Sequence, residues 1–114
     1  MLSTGTVLED NASIFAALGD ATRLSLLGKL SDGEPQSISR LASGTSLTRQ
    51  GITKHLRVLE GAGIVRSVRI GRESQFKLEP KPIAEAQRYL AEVSRQWDQA
   101  LGRLKAMVED QTGA

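Results

Sequence analysis

Cysteine is absent from this 114-residue chain, and histidine occurs once, at His55. Without thiols there is no disulfide framework. With one imidazole there is no set of soft ligands for zinc or another borderline metal, which binds through thiolate and imidazole groups. His55 therefore reads as a packing or phosphate-bonding residue, and no metal site or cofactor is expected. The lack of cysteine also fits a reducing compartment. The opening stretch MLSTGTVLEDN has no basic flank leading into an apolar core, so no secretory signal is expected. No apolar run approaches the roughly 18 residues that mark a membrane span. A cytoplasmic protein with no membrane partner is the expectation. Catalytic sets are missing too: there is no Ser/His/Asp or Cys/His combination and no glycine-rich phosphate loop with its lysine, while Gly61 and Gly63 read as helix-end glycines. An enzyme is not expected.

What remains is an ordinary globular composition, 39% apolar and 25% charged, of a size that gives one domain and a modest core that a partner subunit would enlarge. The whole chain, 1–114, reads as that single domain, with a core over 8–79 and a helix over 80–110. The net charge of +2 hides an uneven distribution. Residues 40–78 carry eight cations (Arg40, Arg49, Lys54, Arg57, Arg66, Arg69, Arg72, Lys77) against Glu60 and Glu73, whereas both flanking segments are net acidic. Positive charge concentrated in one segment is the electrostatic mark of a polyanion partner.

Periodicity gives that segment a shape. Leu8, Ile14, Phe15 and Leu18 predict a first helix ending at Gly19, a residue suited to the left-handed turn past a helix end. Asp20 can cap a second helix, ATRLSLLGKL, with Leu24, Leu27 and Leu30 inward. Ser37 can cap a short third helix carrying Ile38, Leu41 and Ala42 inward, followed by a turn at Gly44. Thr48 caps a fourth, with Leu47 and Ile52 placed as a hydrophobic staple. Two short helices around a glycine turn form a helix-turn-helix pattern. From Gly61 the period changes: IVRSVRI and SQFKLE flank the tip GRE and predict a β-hairpin. The fold class expected is mainly α with a small β-hairpin, a winged helix-turn-helix.

The fourth helix, in LTRQGITKHLRVLEG, buries Ile52, Leu56 and Leu59 and turns Thr48, Arg49, Gln50, Thr53, Lys54 and Arg57 the other way. Arg and Lys can bond guanine, Gln can bond adenine and a Thr methyl can touch thymine, so this face suits the major groove of double-stranded DNA. Arg57, a turn further on, is expected at phosphate. The hairpin cations Arg66, Arg69, Arg72 and Lys77 suit backbone or minor groove alongside.

FAALGDATRLSLLGKLSDGEPQSISRLA and LTRQGITKHLRVLEGAGIVRSVRIGRESQFKLE together resemble the arsenic-repressor (ArsR/SmtB) family of bacterial winged-helix transcriptional regulators over residues 14–79. The telling pieces are LGDATRL and ITKHLRVLEGAGIV. The resemblance implies a homodimeric repressor on a palindromic operator, released by an inducer such as a small molecule. Founding members of that family sense metal through Cys pairs on the helix before the turn, or through Asp, His and Glu on the last helix. This chain has SISRLAS at the first place and Glu85, Glu92, Asp98 and Glu109 without His at the second. It therefore resembles a non-metal-sensing subgroup, and RQWDQALGRLK is similar to the last helix of such proteins.

That last helix begins at Pro80 and Pro82, where a helix can start. Its positions 83, 86, 90, 93, 97, 100, 104 and 107 hold Ile, Ala, Leu, Val, Trp, Ala, Leu and Met, a three-four spacing over about four heptads. A stripe this long exceeds what the winged core can cover, which predicts a dimerisation helix. Leu90, Val93, Trp97, Leu101 and Leu104 are expected to meet a partner's last helix and its first helix through Ile14 and Phe15. The alternative is a winged-helix protein-interaction module without sequence-specific DNA binding; a protein-binding face would more often expose aromatic anchors than this basic one does.

Overall fold

The structure, a computed structural model, describes residues 4–112, with side chains from Asp10 to Asp110. Leu8, expected on the inner side of the first helix, lies outside the described side chains. Helix α1 runs Thr4–Leu18, α2 Ala21–Lys29, α3 Ile38–Ala42 and α4 Arg49–Gly61; strands β2 (Val65–Ile70) and β3 (Glu73–Leu78) lead into α5, Pro80–Thr112. A two-residue strand β1, Gln36–Ser37, precedes α3 and pairs antiparallel with β3, giving a three-stranded sheet of order β1-β3-β2. The expected hairpin thus becomes the larger part of a sheet. Two residues cannot display a period, so β1 leaves no pattern to read.

The three expected caps form. The side chains of Asp20, Ser37 and Thr48 accept hydrogen bonds from the backbone N–H of Arg23, Arg40 and Gly51, satisfying donors that a helix start leaves open. Gly19 ends α1, but without the left-handed backbone expected of it. That conformation occurs at Gly33, Gly44, Gly63 and Gly71. At Gly44 it turns α3 toward α4. At Gly71 it opens a two-residue hairpin tip with Arg72, so Glu73 belongs to β3 and pairs with Ile70.

Leu26, Leu30, Leu41, Ile52, Leu56, Leu59, Ile64 and Phe76 fill one core, with Ile14 and Ala17 from α1 and Ala86 from α5. Helix α2 differs from its expected orientation. Leu26 and Leu30 are buried and Leu27 partly so, while Leu24 is 54% exposed. Leucines at 24, 26, 27 and 30 mark two overlapping stripes, and a helix of nine residues docked on α1 and α4 can turn only one of them inward. Helix α5 packs against the core through Ile83 and Ala86, and Tyr89 meets Phe15 with ring centroids 6.2 Å apart. At about 1.5 Å per residue, its 33 residues continue well past that contact.

Candidate nucleic-acid interface

The recognition face rests on the burial of the opposite side of α4. Ile52, Leu56 and Leu59 have no accessible surface, which fixes the rotation of the helix and leaves Arg49, Gln50 and Lys54 exposed. These three side chains make no hydrogen bond or ion pair among the described residues. Their donors are open to a ligand. Thr48 and Thr53 sit beside them with hydroxyls already engaged: Thr48 caps the helix, and Thr53 donates to the Arg49 carbonyl at 2.8 Å.

Arg57, the residue expected at phosphate, is engaged within its own chain. Its guanidinium pairs with Glu60 at 2.7 Å and lies 5.7 Å from the centroid of the Phe76 ring, within cation–π range. Glu60 also accepts from the Ser67 hydroxyl at 2.8 Å. The Arg57 and Ser67 hydrogen bonds hold the Glu60 carboxyl below its ordinary value, because both favour the charged form. Helix and hairpin are thus joined by a four-residue clasp. The i, i+3 spacing of Arg57 and Glu60 was a legible sign of their pairing, but nothing in the sequence points to Ser67 or Phe76 as its other members.

The hairpin cations divide. Arg69 is exposed on β2, and Arg72 stands beside Gly71 at the tip. Lys77 is half-buried, and none of these three has a partner among the described residues. Arg66, by contrast, forms an ion pair with Glu79, just ahead of α5. At the hairpin base Arg66 is therefore paired within the chain, while Arg69 and Arg72 toward the tip have no ion-pair partner among the described residues.

His55 is half-buried on the flank of α4, its Nδ1 3.2 Å from Arg23 Nη1 and 3.9 Å from Asp20 Oδ1. Arginine has no lone pair, so this hydrogen bond needs the one on Nδ1. Arg23 also donates to the carbonyls of Ala17 and Ala16, and so links the end of α1 to α4. His55 thus has intrachain contacts of the packing kind expected of it.

Of the residues expected at a dimer interface, Ile14 is only 5% exposed within its own chain. It belongs to the core, because α1 uses that side to cover α2 and α4. Phe15 is partly buried against Tyr89, and Val93 is half-buried. Leu90, Trp97, Leu101 and Leu104 are all more than half exposed. Among the described residues no three His, Cys, Asp or Glu converge to hold a metal ion, and no helix is long and apolar enough to cross a membrane.

A family model described as a helix-turn-helix domain matches residues 18–68. An uncharacterized HTH-type transcriptional regulator of Bacillus subtilis, YuzN, is 44% identical over 66 residues, spanning 53% of this chain and 72% of the relative. The solved structure of an ArsR-like transcriptional regulator from Rhodococcus sp. RHA1 superposes with a TM-score of 0.78 at 37% identity, covering 91% of this chain and 96% of that one. The homodimeric winged helix-turn-helix DNA-binding domain of Mb0332 from Mycobacterium bovis shares the fold, with a TM-score of 0.64 at 23% identity over 90% of this chain and 93% of the other.

Proposed function

The chain belongs to the ArsR family of helix-turn-helix transcriptional regulators, and from that premise we propose that it is a cytoplasmic homodimeric repressor that binds a palindromic operator. It is not an enzyme. In this reading Arg49, Gln50 and Lys54 meet base edges in the major groove, with Thr48 and Thr53 beside them. Arg69, Arg72 and Lys77 follow the backbone next to it. The observation that carries the reading is the face of α4 on which Arg49, Gln50 and Lys54 have no side-chain partner among the described residues, over a helix side that is wholly buried.

The exposed stripe of α5 supplies a reason for two copies. Its members at 90, 93, 97, 100, 104 and 107 are spaced symmetrically about the point between 98 and 99. An antiparallel partner helix would therefore cover the whole stripe, Leu90 against Met107 and Val93 against Leu104. With a rise of about 1.5 Å per residue, the two cores would stand about 40 Å apart along the pair. One turn of DNA, the usual half-site separation, is about 34–36 Å. The Mb0332 domain, of the same fold, is described as homodimeric.

Selection of bound duplexes from a random-sequence pool tests the proposal. Enrichment of a two-fold symmetric site, bound with an affinity that falls steeply with salt, is expected, as is lower transcription from a promoter carrying that site. Failure to enrich any sequence, with weak and salt-insensitive duplex binding, would instead favour a protein-interaction module.

A further inference from the structure

We propose that Glu60 is a positioning residue that fastens the hairpin to the recognition helix, so that its negative charge raises DNA affinity although it stands in the most basic segment of the chain. The inference rests on the reading of α4 and the hairpin as a DNA-binding pair. Simple electrostatics points the other way, because a carboxylate beside a polyanion repels it.

The clasp spans three elements. Glu60 on the last turn of α4 accepts from Arg57 on its own helix at 2.7 Å and from Ser67 on β2 at 2.8 Å. Arg57 lies over Phe76 of β3, and Phe76 is the cross-strand partner of Ser67. Directly opposed residues of an antiparallel pair project from one face of the sheet, so Ser67 and Phe76 present a single surface to α4. Arg57 rests on the apolar half of that surface and Glu60 bonds the polar half. Without Glu60, Arg57 loses its counter-charge and Ser67 its acceptor. The hairpin tip, with Arg69 and Arg72, can then swing relative to α4. Phosphate contacts made by a swinging tip cost ordering entropy on binding, and this loss outweighs the removal of one repulsive charge at the far end of the helix.

The test uses the full chain and a duplex of about 30 base pairs, roughly three helical turns, selected by the wild-type protein. Affinities are measured for Glu60→Ala, Ser67→Ala, the tip variant Arg69→Ala/Arg72→Ala, and each clasp substitution placed in the tip variant. Glu60→Ala and Ser67→Ala should each weaken binding, by about threefold to tenfold, the scale of one ordinary net hydrogen bond, and neither should weaken the tip variant further. Amide exchange should quicken in residues 65–78 and stay unchanged in α2. Ser67→Ala removes one exposed hydroxyl and keeps the test open should Glu60→Ala not fold. If the tip variant is weakened but Glu60→Ala binds as well as wild type or better, the proposal is overturned. Equal losses in both backgrounds overturn it too, since Glu60 would then act on the fold at large. A tip variant that binds like wild type removes the reading of the hairpin as a DNA contact, and the proposal with it.

Discussion

Ala86 and Trp97 lie on one stripe of α5, yet Ala86 is 3% exposed and Trp97 63%. Between them the helix leaves its own core. Leu101, Leu104, Met107 and Val108 continue the exposed surface beyond Trp97, a run of apolar side chains that water does not favour.

If a second copy covers that surface, Trp97→Ala removes its largest member. Truncation of a buried aromatic near an interface centre commonly costs about 2 kcal/mol or more. Sedimentation should show the variant shifting toward monomer as it is diluted, with weaker binding to the palindromic site. Wild-type protein sedimenting as a monomer at micromolar concentration while still binding the full palindrome tightly would refute the dimer.

Gly102 lies within α5, and a Cβ built there meets nothing within 4 Å. Gly102→Ala should therefore stabilise the helix by about 0.5–1 kcal/mol through reduced chain entropy and better helix propensity. Circular dichroism melts at two concentrations would check this. An increase in stability that disappears or reverses as the dimer forms would place the partner helix directly against Gly102.

Gln50 and Lys54 lie one turn apart on the free face of α4. Gln50→Ala should relax preference at one base pair at a cost of about 1–3 kcal/mol. Mobility-shift titration on the selected site and its single-base variants measures the change. Unchanged binding by the Gln50→Ala/Lys54→Ala protein would show that this face does not enter the groove.

Arg23 donates to two carbonyls of α1 and to His55 of α4. Arg23→Met keeps much of the side-chain stem and removes all three bonds, so it should destabilise the fold by about 1–3 kcal/mol. Urea unfolding gives the value. A midpoint equal to that of wild type would mean that water replaces Arg23 at no cost.

The Glu60 carboxyl has its pKa lowered from 4.5 by the Arg57 and Ser67 hydrogen bonds. A carboxylate depressed in the folded state contributes stability that is fully present above its unfolded value and is lost as pH falls through the folded one. The clasp should hold down to about pH 4.5 and open only below it. Carbon-detected NMR of the Glu60 carboxyl follows this directly. A midpoint at or above the ordinary glutamate value would show that the two hydrogen bonds do not persist in solution.

Much of the fold and part of the site were legible in the sequence. The caps at Asp20, Ser37 and Thr48 were readable because a short polar side chain before an apolar repeat has one low-energy use there. The polar face of α4 was readable because Ile52, Leu56 and Leu59 leave one direction for burial. The end of self-burial on α5 was foreshadowed by a stripe longer than the domain could cover. Other features depended on neighbours that a local pattern does not contain. Which leucines of α2 turn inward was decided by α1 and α4 together, since residues 24 to 30 allow two stripes. Strand β1 exists only because β3 offers it a ladder. Charge alone left Arg57 and Arg66 equivalent to Arg49 and Arg72. Tertiary structure separated them by bringing Glu60 and Glu79 within reach of the first two, because a cation's availability to DNA depends on which carboxylates the folded chain sets beside it.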